Sequence, residues 1–500
     1  MTPAQINVSA FNISLATPEL FLLAASLVMM IAQLFWAPPR REARLLFAGI
    51  GTLIATAVLV MLQAMPASSG SVIASVAITP IQYGFSHMFV VDAMATILKV
   101  SLLVAVATVI IYSRAYMSAR KLFSGEFIVL ILFATLGMMV MVSANHFVTL
   151  YLGLELLTLS SYVLVALNRD SARSTEAAMK YFILGALASG LLLYGISMVY
   201  GATGSLDINT VAAIVANSRA NDPLLSFGLV FIVAGLAFKL GAVPFHMWVP
   251  DVYDGAPTAI TLFIASAPKI AAFGFVIRIL ADALAGAASD WQGMLVILAV
   301  LSMAIGNIIA ISQTNIKRML AYSTISHMGF LLLGILAGTK NGYASSMFYI
   351  ITYALTTLAA FGIVLLLSRE GFEAEQIDDL KGLNQRSPFY ALMMLFVMFS
   401  MAGIPLFVGF WAKLSVLQAV LEAGYTWLVV YAVLMSVIGA VYYLRIVKVM
   451  YFDAPTDTAP IAAPFEMRAV LAVNAFAVLA LGIVPGGLMT ACLDAIQRSL

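Results

Sequence analysis

Of the 500 residues, 63% are hydrophobic and 10% are charged, where a soluble domain carries about 25% charged. Mean hydropathy is +1.04, and no soluble fold of this size hides so much apolar surface, so the solvent must be largely lipid. The net charge of +2 points to no nucleic acid or acidic substrate, and the lone Cys492 excludes a disulfide framework or a cysteine-ligated iron–sulfur cluster.

A spanning helix needs about 20 mostly apolar residues. Fourteen runs meet that length: 18–36, 45–65, 87–112, 127–144, 147–167, 177–200, 224–247, 258–280, 294–312, 319–337, 343–368, 389–420, 427–450 and 470–489. Residues 1–17 lack a basic leader, and Arg40 and Arg41 follow the first apolar run, so no cleavable signal is expected. With fourteen spans, alternate loops and the span ends that border them hold seventeen Lys and Arg, among them Arg173, Lys180, Lys317 and Arg318. The opposite loops and the C-terminus hold only Arg219, Lys340 and Arg498. That asymmetry places both termini in the periplasm. The fold class expected is therefore an all-α integral membrane protein with 14 transmembrane helices.

Beyond those seventeen and three, five basic residues remain, all inside spans: Lys99, Lys239, Lys269, Arg278 and Lys413. Among acids, Glu155 lies mid-span and Asp92 near a span entrance. A charge at the bilayer centre costs roughly 2.5–3.5 kcal/mol on insertion scales, so such residues imply function or pairing. Arg278, two residues from its span end, is expected to snorkel to the interface. Asp92, Thr96 and Lys99 share one helical face, which reads as an internal ion pair or as a functional stripe. Glu155, Lys239, Lys269 and Lys413 read as proton carriers, because desolvation and a neighbouring carboxylate push a lysine's proton affinity in opposite directions.

Two lysines lie beside prolines, in Lys239-Leu-Gly-Ala-Val-Pro244 and in Gly403-Ile-Pro405 followed by Lys413. Each proline frees a helix carbonyl, which lipid tolerates only where protein or water satisfies it. Broken helices of this kind mark transport sites. Polar stripes at Ser345, Tyr349, Thr352, Tyr353, Thr356 and Thr357, and at Tyr322, Ser323, Ser326 and His327, read either as interhelical hydrogen bonding or as a wet face. His327 suits proton exchange there.

The run Phe238-Lys239-Leu-Gly-Ala-Val-Pro244-Phe-His246-Met-Trp248-Val-Pro250-Asp251-Val-Tyr253-Asp254-Gly255-Ala-Pro257-Thr258 resembles the signature of the antiporter-like proton-translocating subunits of respiratory complex I. Supporting matches are Leu154-Glu155-Leu156, Ser266-Ala-Pro268-Lys269, Tyr322-Ser-Thr-Ile-Ser326-His327-Met-Gly329, Asp379-Leu-Lys381-Gly382-Leu383 and Gly409-Phe-Trp411-Ala-Lys413. One relative in the family is longer, with a C-terminal lateral helix. A second has glutamate where Lys413 stands, and both usually carry Asp-Ala-His where this chain has Asp251-Val-Tyr253. Mrp-type sodium/proton antiporter subunits share the fold and form the alternative.

The resemblance implies two inverted five-helix repeats, spans 4–8 and 9–13, with helices 7 and 12 broken. It divides the chain into a three-helix segment (1–116), the two repeats (117–286 and 287–452) and a C-terminal helix (453–500). It makes Glu155 and Lys239 the modulating pair of a first half-channel, places Lys269 and His327 on a central hydrated axis, and ends a second half-channel at Lys413. It implies neighbouring membrane-arm subunits and membrane lipids as partners. No cofactor or metal is expected in this chain: NADH, FMN, iron–sulfur clusters and quinone belong to partner subunits. The chain has no Gly-rich dinucleotide fingerprint of its own.

Overall fold

The computed structural model describes residues 11–36, 38–64, 81–217, 222–457, 459–461 and 463–500. The expected location of the N-terminus rests on residues outside that set. Nineteen α-helices organise the described chain. The first twelve are α1 (Thr17–Ala32), α2 (Pro38–Ala64), α3 (Ala93–Ala119), α4 (Gly125–Val142), α5 (Phe147–Val165), α6 (Ala172–Thr203), α7 (Ile208–Asn217), α8 (Pro223–Leu240), α9 (Trp248–Gly255), α10 (Thr258–Ala265), α11 (Ala267–Val276) and α12 (Ala288–Ser312). The rest are α13 (Ile316–Leu336), α14 (Lys340–Leu367), α15 (Pro388–Ala402), α16 (Val408–Glu422), α17 (Thr426–Phe452), α18 (Phe465–Ile483) and α19 (Gly486–Ser499), with a single-turn helix at Leu383–Arg386.

Thirteen helical stretches among the described residues are long and apolar enough to cross a membrane. Each answers one of the predicted runs. The remaining run, 389–420, is divided into α15 and α16, fifteen residues each, with Gly403–Phe407 between them. Several boundaries differ from expectation. The run at 87–112 opens instead with a β-hairpin, Gln82–Gly84 against Phe89–Val91, and becomes helical only at Ala93, where the Asp92 carboxylate caps Ala95 N–H at 2.8 Å. The run at 470–489 is helical from Phe465 to Ile483, and Pro485 separates it from amphipathic α19, whose apolar side buries Cys492 and Ile496.

The bundle has a buried centre and an exposed apolar rim. Stretches 258–283 and 316–336 are almost wholly buried within the protein, whereas α17 and α18 expose large apolar side chains such as Val437 and Val473. Small residues allow the closest helix contacts: a Cβ on Gly137 would lie 2.6 Å from the Gly153 carbonyl, which joins α4 to α5. Across the α6–α8 contact, a Cβ on Gly195 would lie 2.6 Å from the Gly228 carbonyl.

The stretch containing Lys269 is irregular along its length. It breaks at Ser266 between α10 and α11, then widens into a π-helix over Ile277–Ala283. Neither irregularity is visible as a proline-and-glycine signal of the kind that marks the other two breaks.

Candidate functional site

Helix α8 stops at Leu240 because Gly241 adopts the left-handed conformation, φ +80°, and caps it. Helix α15 stops in the same way at Ala402, where Gly403 has φ +85°. The last carbonyls of each helix are thereby left without intrahelical partners inside the protein. Buried lysines take them up.

At the first break, Lys269 Nζ donates to the carbonyls of Leu240 (2.7 Å) and Lys239 (3.3 Å). The indole N–H of Trp248 donates to the Phe238 carbonyl at 2.9 Å. The Trp248 ring centroid lies 5.1 Å from Lys269 Nζ, within cation–π range. Lys239 points elsewhere: its Nζ lies 3.5 Å from the Ser189 hydroxyl on α6. A cavity of about 30 Å³, room for a water molecule, is lined by both lysines together with Thr158, Ser161, Tyr181 and Trp248.

At the second break, Lys413 Nζ donates to the carbonyls of Met401 and Ala402, both at 3.0 Å, and to the Ser436 hydroxyl at 2.9 Å. The Phe330 ring faces it with its centroid 5.2 Å away. Beside Met401 a cavity of about 20 Å³ leads back to His327 and is lined by Tyr349, Thr352, Tyr353 and Thr356. His327 is held from both sides, Nδ1 against the Tyr349 hydroxyl (2.6 Å) and Nε2 against the Tyr443 hydroxyl (3.0 Å). Tyr443 in turn meets Ser323 at 2.5 Å. The stripes at 322–327 and 345–357 thus converge on one polar seam, although Thr352 and Thr356 also bond back to their own helix.

Two expectations need correction, those for Lys99 and for Arg278. Glu155 and Lys239 stand apart: among the described residues, the ion pairs within 4.0 Å include neither. The Glu155 carboxylate lies 3.5 Å from the Thr158 hydroxyl and also meets the Tyr151 hydroxyl on the preceding turn. Asp92 and Lys99 do not pair along their helix. Lys99 pairs with Glu19 of α1 at 2.5 Å, and Asp92 pairs with Arg278 at 2.5 Å. Arg278 does not snorkel. It is 1% exposed, because the π-helix turns it inward to Asp92 and to the Val142 carbonyl at 3.3 Å.

Several site residues escaped the sequence reading. Trp248 was quoted only as part of a motif, and Ser189, Ser436 and Tyr443 not at all. The first two are single hydroxyls in apolar runs and carry no local signal. Tyr443 stands in a Tyr-Tyr pair inside a span, which is the trace a search for buried hydroxyls would have found.

A lipid-length helical bundle with two glycine-capped breaks, each holding a buried ammonium, defines a multi-pass membrane protein with titratable groups along its middle. Residues 144–439 match the family described as NADH:quinone oxidoreductase/Mrp antiporter, TM, and the chain belongs to that family. Its similarity to proteins called NADH-quinone oxidoreductase subunit N runs from end to end. The one from Nitrosomonas europaea is 59% identical over 485 residues, 97% of this chain and 98% of that one. The one from Herminiimonas arsenicoxydans is 56% identical, covering 98% and 99%. Among solved structures, a chain of respiratory complex I from Thermus thermophilus with bound aureothin superposes with a TM-score of 0.80 at 29% identity, covering 96% of this chain and all of that one. A chain of the Mrp complex from Dietzia shares the fold, with a TM-score of 0.83 at 21% identity.

Proposed function

We propose that the chain is the subunit N of a bacterial NADH–quinone oxidoreductase, and that it moves protons across the inner membrane as partner subunits pass electrons from NADH to quinone. The observation that carries this reading is the pair of buried lysines, each seated on the carbonyl end of a broken helix, in a chain 59% identical over nearly its whole length to a protein of that name. An ammonium held only by neutral carbonyls and hydroxyls is poised to release a proton when a second positive charge approaches. Lys239, Lys269, His327 and Lys413 are the carriers in this reading, and Glu155 modulates the first of them.

In this reading α15 and α16 together make a fourteenth crossing, and the basic-rich loops face the cytoplasm. Spans 4–8 and 9–13 form inverted repeats within the boundaries 117–286 and 287–452, and the NADH, FMN and iron–sulfur chemistry belongs to other subunits. The fold is shared with the Mrp complex, but at 21% identity that likeness does not favour antiport over redox-driven pumping.

The test is complementation. A strain lacking the subunit should lose NADH-driven proton uptake into inverted membrane vesicles and regain it with this chain. Restoration of NADH-independent sodium/proton exchange instead would sink the reading.

A further inference from the structure

At the cytoplasmic end of the bundle, three carboxylates each hold one cation from the first half of the chain and one from the second. Asp251 pairs with Lys180 at 2.9 Å and Arg318 at 3.1 Å. Asp254 pairs with Arg173 and, at 3.8 Å, with Arg318, and accepts from the Asn315 amide at 2.9 Å. Glu375 pairs with Arg173 and Lys317, both at 2.8 Å. Arg173 and Lys180 stand at the start of α6, and Lys317 and Arg318 at the start of α13. The basic residues that report orientation are therefore also half of an alternating lattice. Ion pairs at partly exposed positions are individually weak, but a connected network of several charges fixes geometry.

Two of the three carboxylates belong to α9, the eight-residue helix that follows the first break. Non-helical chain joins α9 to α8 through residues 241–247 and to α10 through Ala256 and Pro257, so its placement depends on what grips it. The lattice grips it from both halves. Its first residue is Trp248, about 4.5 Å of helix rise from Asp251. Trp248 stacks on Tyr181, centroids 4.7 Å apart and 14° from parallel, bonds the Phe238 carbonyl and covers Lys269. Moving α9 therefore moves both the ring over the Lys269 ammonium and the helix end on which that ammonium sits.

We propose that Asp251 and Asp254 are positioning residues for Lys269: they clamp α9 between spans six and ten, and Trp248 carries that placement to the lysine's carbonyl seat. The clamp ties the proton-loading geometry of the first half to the position of the second, which gives the two halves a mechanical link outside the membrane's apolar core. The proposal rests on the reading of Lys269 as a proton carrier. Spatial adjacency alone does not demonstrate coupling, so the test restores the tether without its charges.

The experiment uses the assembled complex in inverted vesicles. Asp251→Cys combined with Arg318→Cys removes their ion pair together with those to Lys180 and Asp254, and a short bismaleimide then joins the two positions. Wild-type vesicles given the same reagent are the reference. NADH-driven proton uptake should fall about ten-fold in the double variant, within the range that a misplacement of ~1 Å causes, and should return on cross-linking. A rate equal to wild type before cross-linking overturns the proposal, as does a loss that cross-linking leaves unrepaired. Trp248→Phe leaves the lattice intact and removes only the indole N–H and part of the ring. It should cause a loss of the same order, and a wild-type rate there is equally fatal, whether or not the cysteine variant assembles. Lys269→Met is measured alongside. Undiminished pumping in that variant defeats the reading of Lys269 itself, whereas failure of the other arms with Lys269→Met inactive defeats the clamp alone.

Discussion

Lys269 and Lys413 lie in different helices of different halves, yet their ammonium groups sit on the same kind of acceptor: the final two carbonyls before a left-handed glycine. A helix C-terminus carries about half a negative charge, and inside a membrane its carbonyls need a donor. The two halves supply that donor differently. Lys269 reaches across from α11, whereas Lys413 folds back from α16, the helix that continues its own broken span. Counting two residues back from the glycine gives Lys239 at the first break and Met401 at the second. The first break therefore has two lysines and the second only one.

Replacing Lys413 by Met should abolish most proton uptake and should also cost stability. The variant leaves the Met401 and Ala402 carbonyls without their donor, and each unsatisfied buried group costs about 1–3 kcal/mol. Lys413→Arg keeps the charge and should retain part of the rate. A glutamate at 413 sets an acceptor against two carbonyls, so it should serve only as the protonated acid. Proton uptake and the thermal stability of the purified complex check this together: normal pumping by the Met variant would return Lys413 to a structural role.

The buried pair Lys99–Glu19 joins two N-terminal helices, with side chains 3% and 5% exposed. Removing one partner leaves an uncompensated charge, which costs about 3–5 kcal/mol, whereas replacing both by apolar residues is often neutral. Lys99→Met should therefore reduce the amount of assembled complex, and Lys99→Met with Glu19→Leu should restore it with normal proton uptake. If the double variant assembles but pumps poorly, the pair has a role in transport.

The sequence made the elements of the site legible where the chemistry is costly. Apolar length, intramembrane charge and proline-marked breaks each violate a default of soluble chains, so Lys239, Lys269, Lys413 and the two interruptions stood out. Partner choice did not. Lys99 and Asp92 share a helical face, but side-chain direction and the inward turn of the π-helix at Arg278 decide which charge meets which. The break at Ser266 was equally silent, since Pro268 follows it at a position where proline normally begins a helix. The lattice around Asp251 was hidden for another reason: its cations already had an explanation as orientation signals.

That lattice also sets an acid limit. Burial alone would raise the pKa of Glu375, but Lys317 and Arg173 outweigh it and hold the carboxylate below its ordinary 4.5. Asp251 is likewise pushed up by burial, yet Lys180 and Arg318 bring it below 3.8. A depressed carboxylate contributes stability in full above its unfolded pKa and loses it as pH falls through the folded value. The lattice should therefore be indifferent to pH between about 8 and 5 and fail only below about 4. Thermal unfolding of the complex should show a drop in that lower window, and the drop should shrink in Glu375→Gln. A drop centred near pH 6 would point to a histidine instead.

Glu155 and Lys239 remain the sharpest candidates for a coupled pair, although they do not touch. The motive is a carboxylate on α5 whose contact with Thr158 is long, at 3.5 Å, and a lysine on α8 whose ammonium, among the described residues, makes one long hydrogen bond to Ser189. A contact at 4 Å in an effective dielectric near 20 would couple them by about 4 kcal/mol, and the energy falls inversely with distance. Beyond contact the coupling should thus be about 1–2 kcal/mol, still enough to alter a proton's residence by ten-fold. Glu155→Gln and Lys239→Met should each slow proton uptake strongly. Glu155→Asp should be milder, since the charge survives with a shorter reach, and Ser189→Ala should be milder still. The Gln/Met double variant should lose less than the sum of the singles by that same 1–2 kcal/mol, because residues that act as a unit are not additive. Proton uptake in inverted vesicles, with assembly matched across the five variants, gives the cycle directly. Additive losses would mean that the two groups work independently and that Lys239 answers to another charge.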